Sequence, residues 1–166
     1  MKTGLIHIGI VDDHPTFPEG IKTLLAAFSD IKVSFTANDG SECLKALKEK
    51  YVDVVLLDLE MDGLDGEETM EQMAQKHPDV SPIIITSHFN PSFVIKYMKK
   101  NVPGILSKTA SIQKISEAVR TVHIQGQYFD DQVSAILKRA ITRSASEPDL
   151  TDRPDIDFSV IELKVF

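Results

Sequence analysis

The stretch VDVVLLDLEMDGLDGEE, residues 52–68, admits two incompatible readings, and the choice between them decides the fold. From Asp58 onward, acids alternate through Glu60 and Asp62 with Gly63 in sixth place, which is how a calcium loop opens. Read the other way, Val54 to Leu57 form a short buried strand that delivers one carboxylate, Asp58, at its carboxyl end. Two observations remove the calcium loop. Its twelfth position needs a bidentate carboxylate and holds Thr69, with Glu68 one residue early. The segment before it should be helical, yet Val54-Val55-Leu56-Leu57 is β-branched and apolar.

Working outward from that strand, four more apolar runs recur at even spacing, giving strands at 5–11, 31–37, 53–57, 82–86 and 102–106. Runs that are apolar on both faces belong to a parallel sheet covered on both sides. Helical period fills the intervals. Phe17, Ile21, Leu24, Leu25 and Phe28 share one face, and Cys43, Leu44 and Leu47 another. Met70, Met73 and Ala74 mark a third helix, Val94, Tyr97 and Met98 a fourth, and Ile112, Ile115, Val119 and Val122 a fifth. Pro15 and Pro18 fit the opening of the first helix, where amide hydrogens lack intrahelical partners. Strict alternation predicts a doubly wound, flavodoxin-like α/β fold with a five-stranded parallel sheet and right-handed crossovers. A sixth helix is expected over about 130–143, with Val133, Ile136, Leu137 and Ile141 on one side. The segment RSASEPDLTDRPDID then reads as a linker, and Ser159 to Glu162 reads as a capping box flanked by Phe158 and Leu163.

Composition narrows the class. The chain has 166 residues, a formal charge of −7 and a single cysteine, Cys43. An acidic surface repels nucleic acid and anionic membranes. One cysteine allows no internal disulfide, and Cys43 on a helical face reads as a buried structural thiol. No apolar run reaches the roughly 18 residues of a membrane span, and residues 5–11 are strand-length rather than a signal peptide. These features predict a cytoplasmic soluble protein that does not engage a membrane.

In open α/β sheets, ligands bind beyond the carboxyl ends of the strands. Those ends carry Asp12 and Asp13 after the first strand, Asp58 after the third, Thr86 after the fourth and Lys108 after the fifth. Three close carboxylates repel unless a cation sits among them, and all-oxygen ligands suit Mg²⁺ or Mn²⁺. Thr86 and Lys108 would face an anion sharing that cation, which is the apparatus for holding a phosphoryl group on a carboxylate.

With these residues in place, the sequence resembles the receiver domains of two-component response regulators. VDDHPTFPEGIKTLL looks like the opening of the NarL/LuxR-type (FixJ-like) branch, and the likeness covers residues 5 to about 125. The resemblance implies that Asp58 is the phosphoacceptor. It implies Mg²⁺ on Asp13, Asp58 and the backbone carbonyl of Glu60, with Asp12 acting through water. Thr86 and Lys108 would bond phosphoryl oxygens, with the small Ser87 leaving access. It also implies a histidine kinase or phosphotransfer protein as donor and dimerisation on phosphorylation. No small-molecule turnover is implied, and DNA would be reached only through a helix-turn-helix output unit. That division gives a receiver at 1–125, a connector at 126–143, a linker at 144–158 and the start of a truncated output unit at 159–166.

The sequence departs from the family pattern at Asp62, where proline is usual, and at Ile105, where an aromatic residue or histidine usually supports switching. Glu60 and His88 are expected to tune phosphoryl lifetime. The lysines at 96, 99 and 100 form a basic spot that is either a partner surface or a solvated helix face. Two other function classes are compatible with parts of the pattern. Ile105 fits an interaction module that no longer switches. A Mg²⁺-dependent phosphatase or nucleotide-binding enzyme would need an Asp-x-Asp pair at the acceptor or a glycine-rich phosphate loop, and neither is present.

Overall fold

The computed structural model describes residues 4–61 and 65–146. Five strands, β1 (Ile6–Val11), β2 (Ile31–Ala37), β3 (Val54–Leu57), β4 (Ser81–Thr86) and β5 (Gly104–Ser107), form one parallel sheet in the order β2-β1-β3-β4-β5. The helices between and after them are α1 (Phe17–Leu25), α2 (Gly40–Glu49), α3 (Gly66–Lys76), α4 (Pro91–Lys99), α5 (Ile112–Gln125) and α6 (Asp131–Ser146).

Because successive strand residues point to opposite faces, each strand feeds two cores. Ile8, Ile10, Val54, Leu56, Ile83, Ile85 and Leu106 face α1 and α5, where Ile21, Leu25, Ile115 and Val119 meet them. Val11, Val55, Leu57, Ile84 and Ile105 point the other way, toward Cys43, Met73, Val94, Met98, Val133 and Leu137. Strand order reverses direction between β1 and β3, so a crevice opens where these two neighbours send their crossovers to opposite sides. Asp12 and Asp58 stand at that crevice.

Two glycines allow close approaches that a side chain would block. At Gly9, a Cβ would run into the Phe35 ring, and β1 shifts register against β2 between Ile8 and Gly9. At Gly66, a Cβ would lie 2.5 Å from the Asp58 carbonyl oxygen and closer still to Leu59 Cα. The first turn of α3 is therefore pressed against the backbone of residues 58–59.

The elements follow the sequence reading with local differences. The last strand starts at Gly104 rather than residue 102, because the Val102 amide still bonds to Tyr97 O at the exit of α4. Helix α1 begins at Phe17 with Thr16 before it, so Pro18 lies in the first turn and Pro15 precedes the helix. Leu24 lies on the solvent side at 53 % exposure instead of in the core. Asp65 caps α3, its carboxylate accepting the Glu68 amide at 2.8 Å. Helix α6 runs through residues 144–146, since no proline or glycine interrupts it before Pro148. The expectations for Asp62 and for residues 147–166, including the capping box at 159–162, fall outside the described residues. Among the described residues, no helix is long and apolar enough to cross a membrane. Cys43 is fully buried, and burial pushes its thiol up to about 12, as a structural thiol requires.

Candidate functional site

At the crevice, the acids expected from the strand ends converge. Oxygens of Asp12, Asp13 and Asp58, together with a nitrogen of His14, all lie within 4.8 Å of one another. Asp12 is fully buried and Asp58 nearly so, at 2 % exposure, while Asp13 is partly open to solvent. Short strands ending together produce this: the Asp58 amide still bonds to Val11 O at 2.9 Å, which places the end of β3 beside the end of β1.

Lys108 reaches the same point from β5. Its ammonium lies 2.7 Å from Asp12 Oδ2 and 3.2 Å from Asp58 Oδ2. Its backbone amide donates to Thr86 O at 2.8 Å, carrying the β4–β5 ladder one step past the strand. Burial alone would lower the Lys108 pKa, but bonding and attraction from Asp12 and Asp58 outweigh it and leave the ammonium raised. Burial pushes the Asp58 carboxyl above its ordinary range. The Glu60 amide, donating to Asp58 Oδ1 at 3.0 Å, pulls it back, the charge on Asp12 raises it further, and Lys108 opposes that rise.

A carboxylate in this state is short of positive charge. The single Lys108 ammonium makes the point locally, since two buried carboxylates, Asp12 and Asp58, share it. The donor set, three carboxylates with one side open to water, fits a hard divalent cation.

Thr86 is fully buried, and its hydroxyl accepts the His88 amide at 2.9 Å. The loop 87–90 therefore leaves the site from a hydrogen-bonded anchor. Over its outer rim, His88 Nε2 lies 2.9 Å from Glu60 Oε2, joining the β3–α3 and β4–α4 loops. Ile105 is fully buried in the apolar cluster below, remote from solvent.

Two of the three lysines of the basic spot, Lys96 and Lys100, are paired. Lys96 and Lys100 both contact Glu67 of α3 and lie 5.2 and 5.7 Å from the Tyr97 ring centroid, while the Tyr97 hydroxyl reaches Glu67 at 3.4 Å. It ties α4 to α3.

One residue was missed from sequence. The amide and ring Nδ1 of His14 both sit 2.8 Å from Asp12 Oδ1, and the same nitrogen is 3.2 Å from Lys108 Nζ. Its signal was in plain view, directly after Asp12-Asp13, but only the fold shows which way the ring turns.

Comparison with known proteins agrees with this architecture. Residues 8–120 match the family model described as the response regulator receiver domain. The response regulator UvrY of Escherichia coli (strain K12) is 31 % identical over 161 residues, 97 % of this chain and 72 % of that protein. The transcriptional regulatory protein DegU of Brevibacillus brevis is 30 % identical over 159 residues, 96 % of this chain and 67 % of its own length. Among solved structures, the signal receiver domain named NarL from Mycobacterium tuberculosis superposes with a TM-score of 0.67 at 27 % identity, over 73 % of this chain and 98 % of that one. A LuxR-family two-component response regulator from Aurantimonas sp. SI85-9A1 shares the fold at a TM-score of 0.74, 23 % identity, over 83 % of this chain and 99 % of that one. With the strand order, the crevice and its acids, these likenesses make the chain a member of the response regulator receiver family of two-component systems.

Proposed function

We propose that Asp58 is the phosphoacceptor, taking a phosphoryl group from a phosphohistidine on a histidine kinase or phosphotransfer protein. The observation that carries this reading is the pairing of a buried, charge-starved Asp58 with Lys108 at 3.2 Å beside two further acids. An Asp58 oxygen attacks phosphorus, an O–P bond forms and the donor's N–P bond breaks. The transferred group leaves Asp58 as an acyl phosphate. Lys108 pairs with one phosphoryl oxygen, and the Thr86 hydroxyl donates to another. Mg²⁺, or Mn²⁺, would be held by Asp12, Asp13, Asp58 and the Glu60 carbonyl, and would supply the positive charge that the transferring group needs. Glu60 and His88, paired at 2.9 Å on the rim, tune how fast water removes the group. In Glu60→Ala and His88→Ala, the hydrolysis rate of the acyl phosphate is expected to change several-fold; parent rates in both would remove this role.

The wider reading keeps a cytoplasmic protein that turns over no small molecule. It has a receiver followed by α6, which runs to Ser146 and serves as the connector toward an output unit. Its output is transcriptional, and dimerisation accompanies phosphorylation. Support comes from DegU, which is named a transcriptional regulatory protein and of which this chain spans 67 %.

The test is intact mass after incubation with acetyl phosphate, with and without Mg²⁺. A gain of one phosphoryl group in the parent, dependent on Mg²⁺ and absent in Asp58→Asn, is expected. Equal mass in all samples would favour the interaction module that Ile105 suggested.

A further inference from the structure

His14 stands among the crevice acids, yet the cation set proposed above does not use it. The loop between Val11 and Phe17 turns it there. The His14 amide donates to Asp12 Oδ1 at 2.8 Å, which folds the chain back over that carboxylate. The ring follows, and Nδ1 comes to 2.8 Å from Asp12 Oδ1 and 3.5 Å from Asp13 Oδ1, within the group that also holds an Asp58 oxygen. Neighbouring ligands on one octahedral ion, with bonds of about 2.1 Å, stand about 3 Å apart. The imidazole nitrogen and these two carboxylate oxygens are already spaced in that way.

The contacts of Nδ1 conflict with one another. Lys108 Nζ lies 3.2 Å from this nitrogen, 2.7 Å from Asp12 Oδ2 and 3.2 Å from Asp58 Oδ2. With the ring proton on Nδ1, the ring suits Asp12 but points an N–H toward an ammonium. With the proton on Nε2, the lone pair of Nδ1 suits Lys108 but meets a carboxylate oxygen at 2.8 Å. Neither tautomer satisfies both neighbours. The ammonium itself marks a place for positive charge, since two carboxylates and an imidazole nitrogen converge on it. A metal ion at that place would accept lone pairs from the carboxylates and from Nδ1 alike, and would release Lys108 to a phosphoryl oxygen. The His14 side chain is 62 % exposed, so its ring can turn onto an ion without disturbing the core.

We propose that His14 Nδ1 is a metal ligand, which makes the crevice a mixed nitrogen–oxygen site favouring a first-row ion such as Co²⁺ or Zn²⁺ over Mg²⁺. This rests on the cation site of the phosphoacceptor reading above and adds one side chain to it. Mg²⁺ gains little from an imidazole, because it is a hard ion that takes oxygen and keeps its water; Co²⁺ and Zn²⁺ accept nitrogen readily. A site of oxygens alone also binds the later first-row ions more tightly than Mg²⁺. The signature of His14 is therefore the share of that preference that disappears with the ring. In function, the receiver accepts phosphoryl groups at lower concentrations of such an ion than of Mg²⁺.

Calorimetric titration of the whole chain with MgCl₂ or CoCl₂ alone tests this, with phosphoryl uptake from acetyl phosphate measured by intact mass on the same preparations. Losing a direct ligand should cost at least what losing an outer-shell partner does, so the ratio of Co²⁺ to Mg²⁺ affinity is expected to fall about ten-fold or more in His14→Ala. His14→Asn, whose side chain can still donate to Asp12, should behave like His14→Ala. Pulsed electron paramagnetic resonance of the Mn²⁺-loaded parent should show coupling to an imidazole nitrogen that is lost in His14→Ala. An affinity ratio unchanged in His14→Ala, or restored in His14→Asn, overturns the proposal, as does nitrogen coupling that survives in His14→Ala; Mg²⁺-dependent uptake in the parent then leaves the phosphoacceptor reading intact. Binding of Co²⁺ that depends on His14, in a parent that takes up no phosphoryl group, supports the ligand and overturns that reading. Absence of both metal binding and uptake overturns both.

Discussion

Strand β3 has an aspartate at each end, and the two behave differently. Asp53 precedes the strand. Its Oδ2 accepts the His7 amide at 2.9 Å, and its Oδ1 accepts the Tyr51 hydroxyl at 2.7 Å with His123 Nδ1 3.8 Å away. Asp58 stands past the other end, with one amide on Oδ1, a shared ammonium on Oδ2 and another buried carboxylate beside it. Both are largely out of water, but only Asp53 has its oxygens satisfied by neutral donors. One end of the strand is finished as structure, and the other keeps unmet demand for positive charge. On the proposed function, that difference, rather than the presence of acid, separates a reactive carboxylate from a structural one.

The largest expected effect breaks the comparison at Asp58. Asp58→Asn abolishes phosphoryl uptake, whereas Asp53→Asn leaves the phosphorylated mass peak at parent intensity. Next in size is the support under Asp58. Gly66→Ala forces a methyl into the backbone of residues 58–59, and overpacking against backbone should cost about 3 kcal/mol or more, measured by urea unfolding. A smaller loss is expected at the satisfied end. Asp53→Ala strands the His7 amide and the Tyr51 hydroxyl, and should destabilise by about 1–3 kcal/mol.

In metal-free buffer at neutral pH, Asp58→Asn goes the opposite way. The folded-state pKa of Asp58 is raised by burial, so its ionised form is stabilised less in the folded chain than in the unfolded one. The Asn variant is therefore expected to unfold at a higher temperature than the parent. The smallest effect lies at Asp30, which the Arg120 guanidinium holds below the usual carboxylate range through bonds of 2.6 and 3.0 Å. A depressed pKa contributes stability above the unfolded value, near 4, which is lost as pH falls through the folded one. Solvent screening at this half-open pair limits the difference between parent and Arg120→Ala to less than about 1 kcal/mol, visible in unfolding curves at pH 7 and absent at pH 2.

Much of this was legible in the sequence, for identifiable reasons. Buried parallel strands need apolar residues on both faces, so IHIGIV, VVLL and SPIIIT announced themselves. Once the strands were marked, their carboxyl ends pointed directly to Asp12, Asp58, Thr86 and Lys108. Val102 misled because an apolar residue can close a helix as well as open a strand. Asp65 was passed over although the Asp-x-x-Glu spacing to Glu68 carries the capping signal. Contacts between distant loops had no local signature at all. The approach of Glu60 to His88, the turn of His14 onto Asp12 and the hold of Glu67 on α4 depend on where the crossovers land.

The single rung between Tyr128 and Gly104 has a practical consequence for how the protein is divided. β5 is an edge strand, and open strand edges invite pairing with other chains. Cutting at residue 125, where the receiver pattern ends, would remove the rung, bare the start of that edge and uncover the apolar ground beneath Val133 and Leu137. A fragment ending at Gln125 should self-associate at concentrations where one ending at Ser146 stays monodisperse. The independently handled piece of this chain is therefore set by the helix that seals the sheet, well beyond the strand it protects.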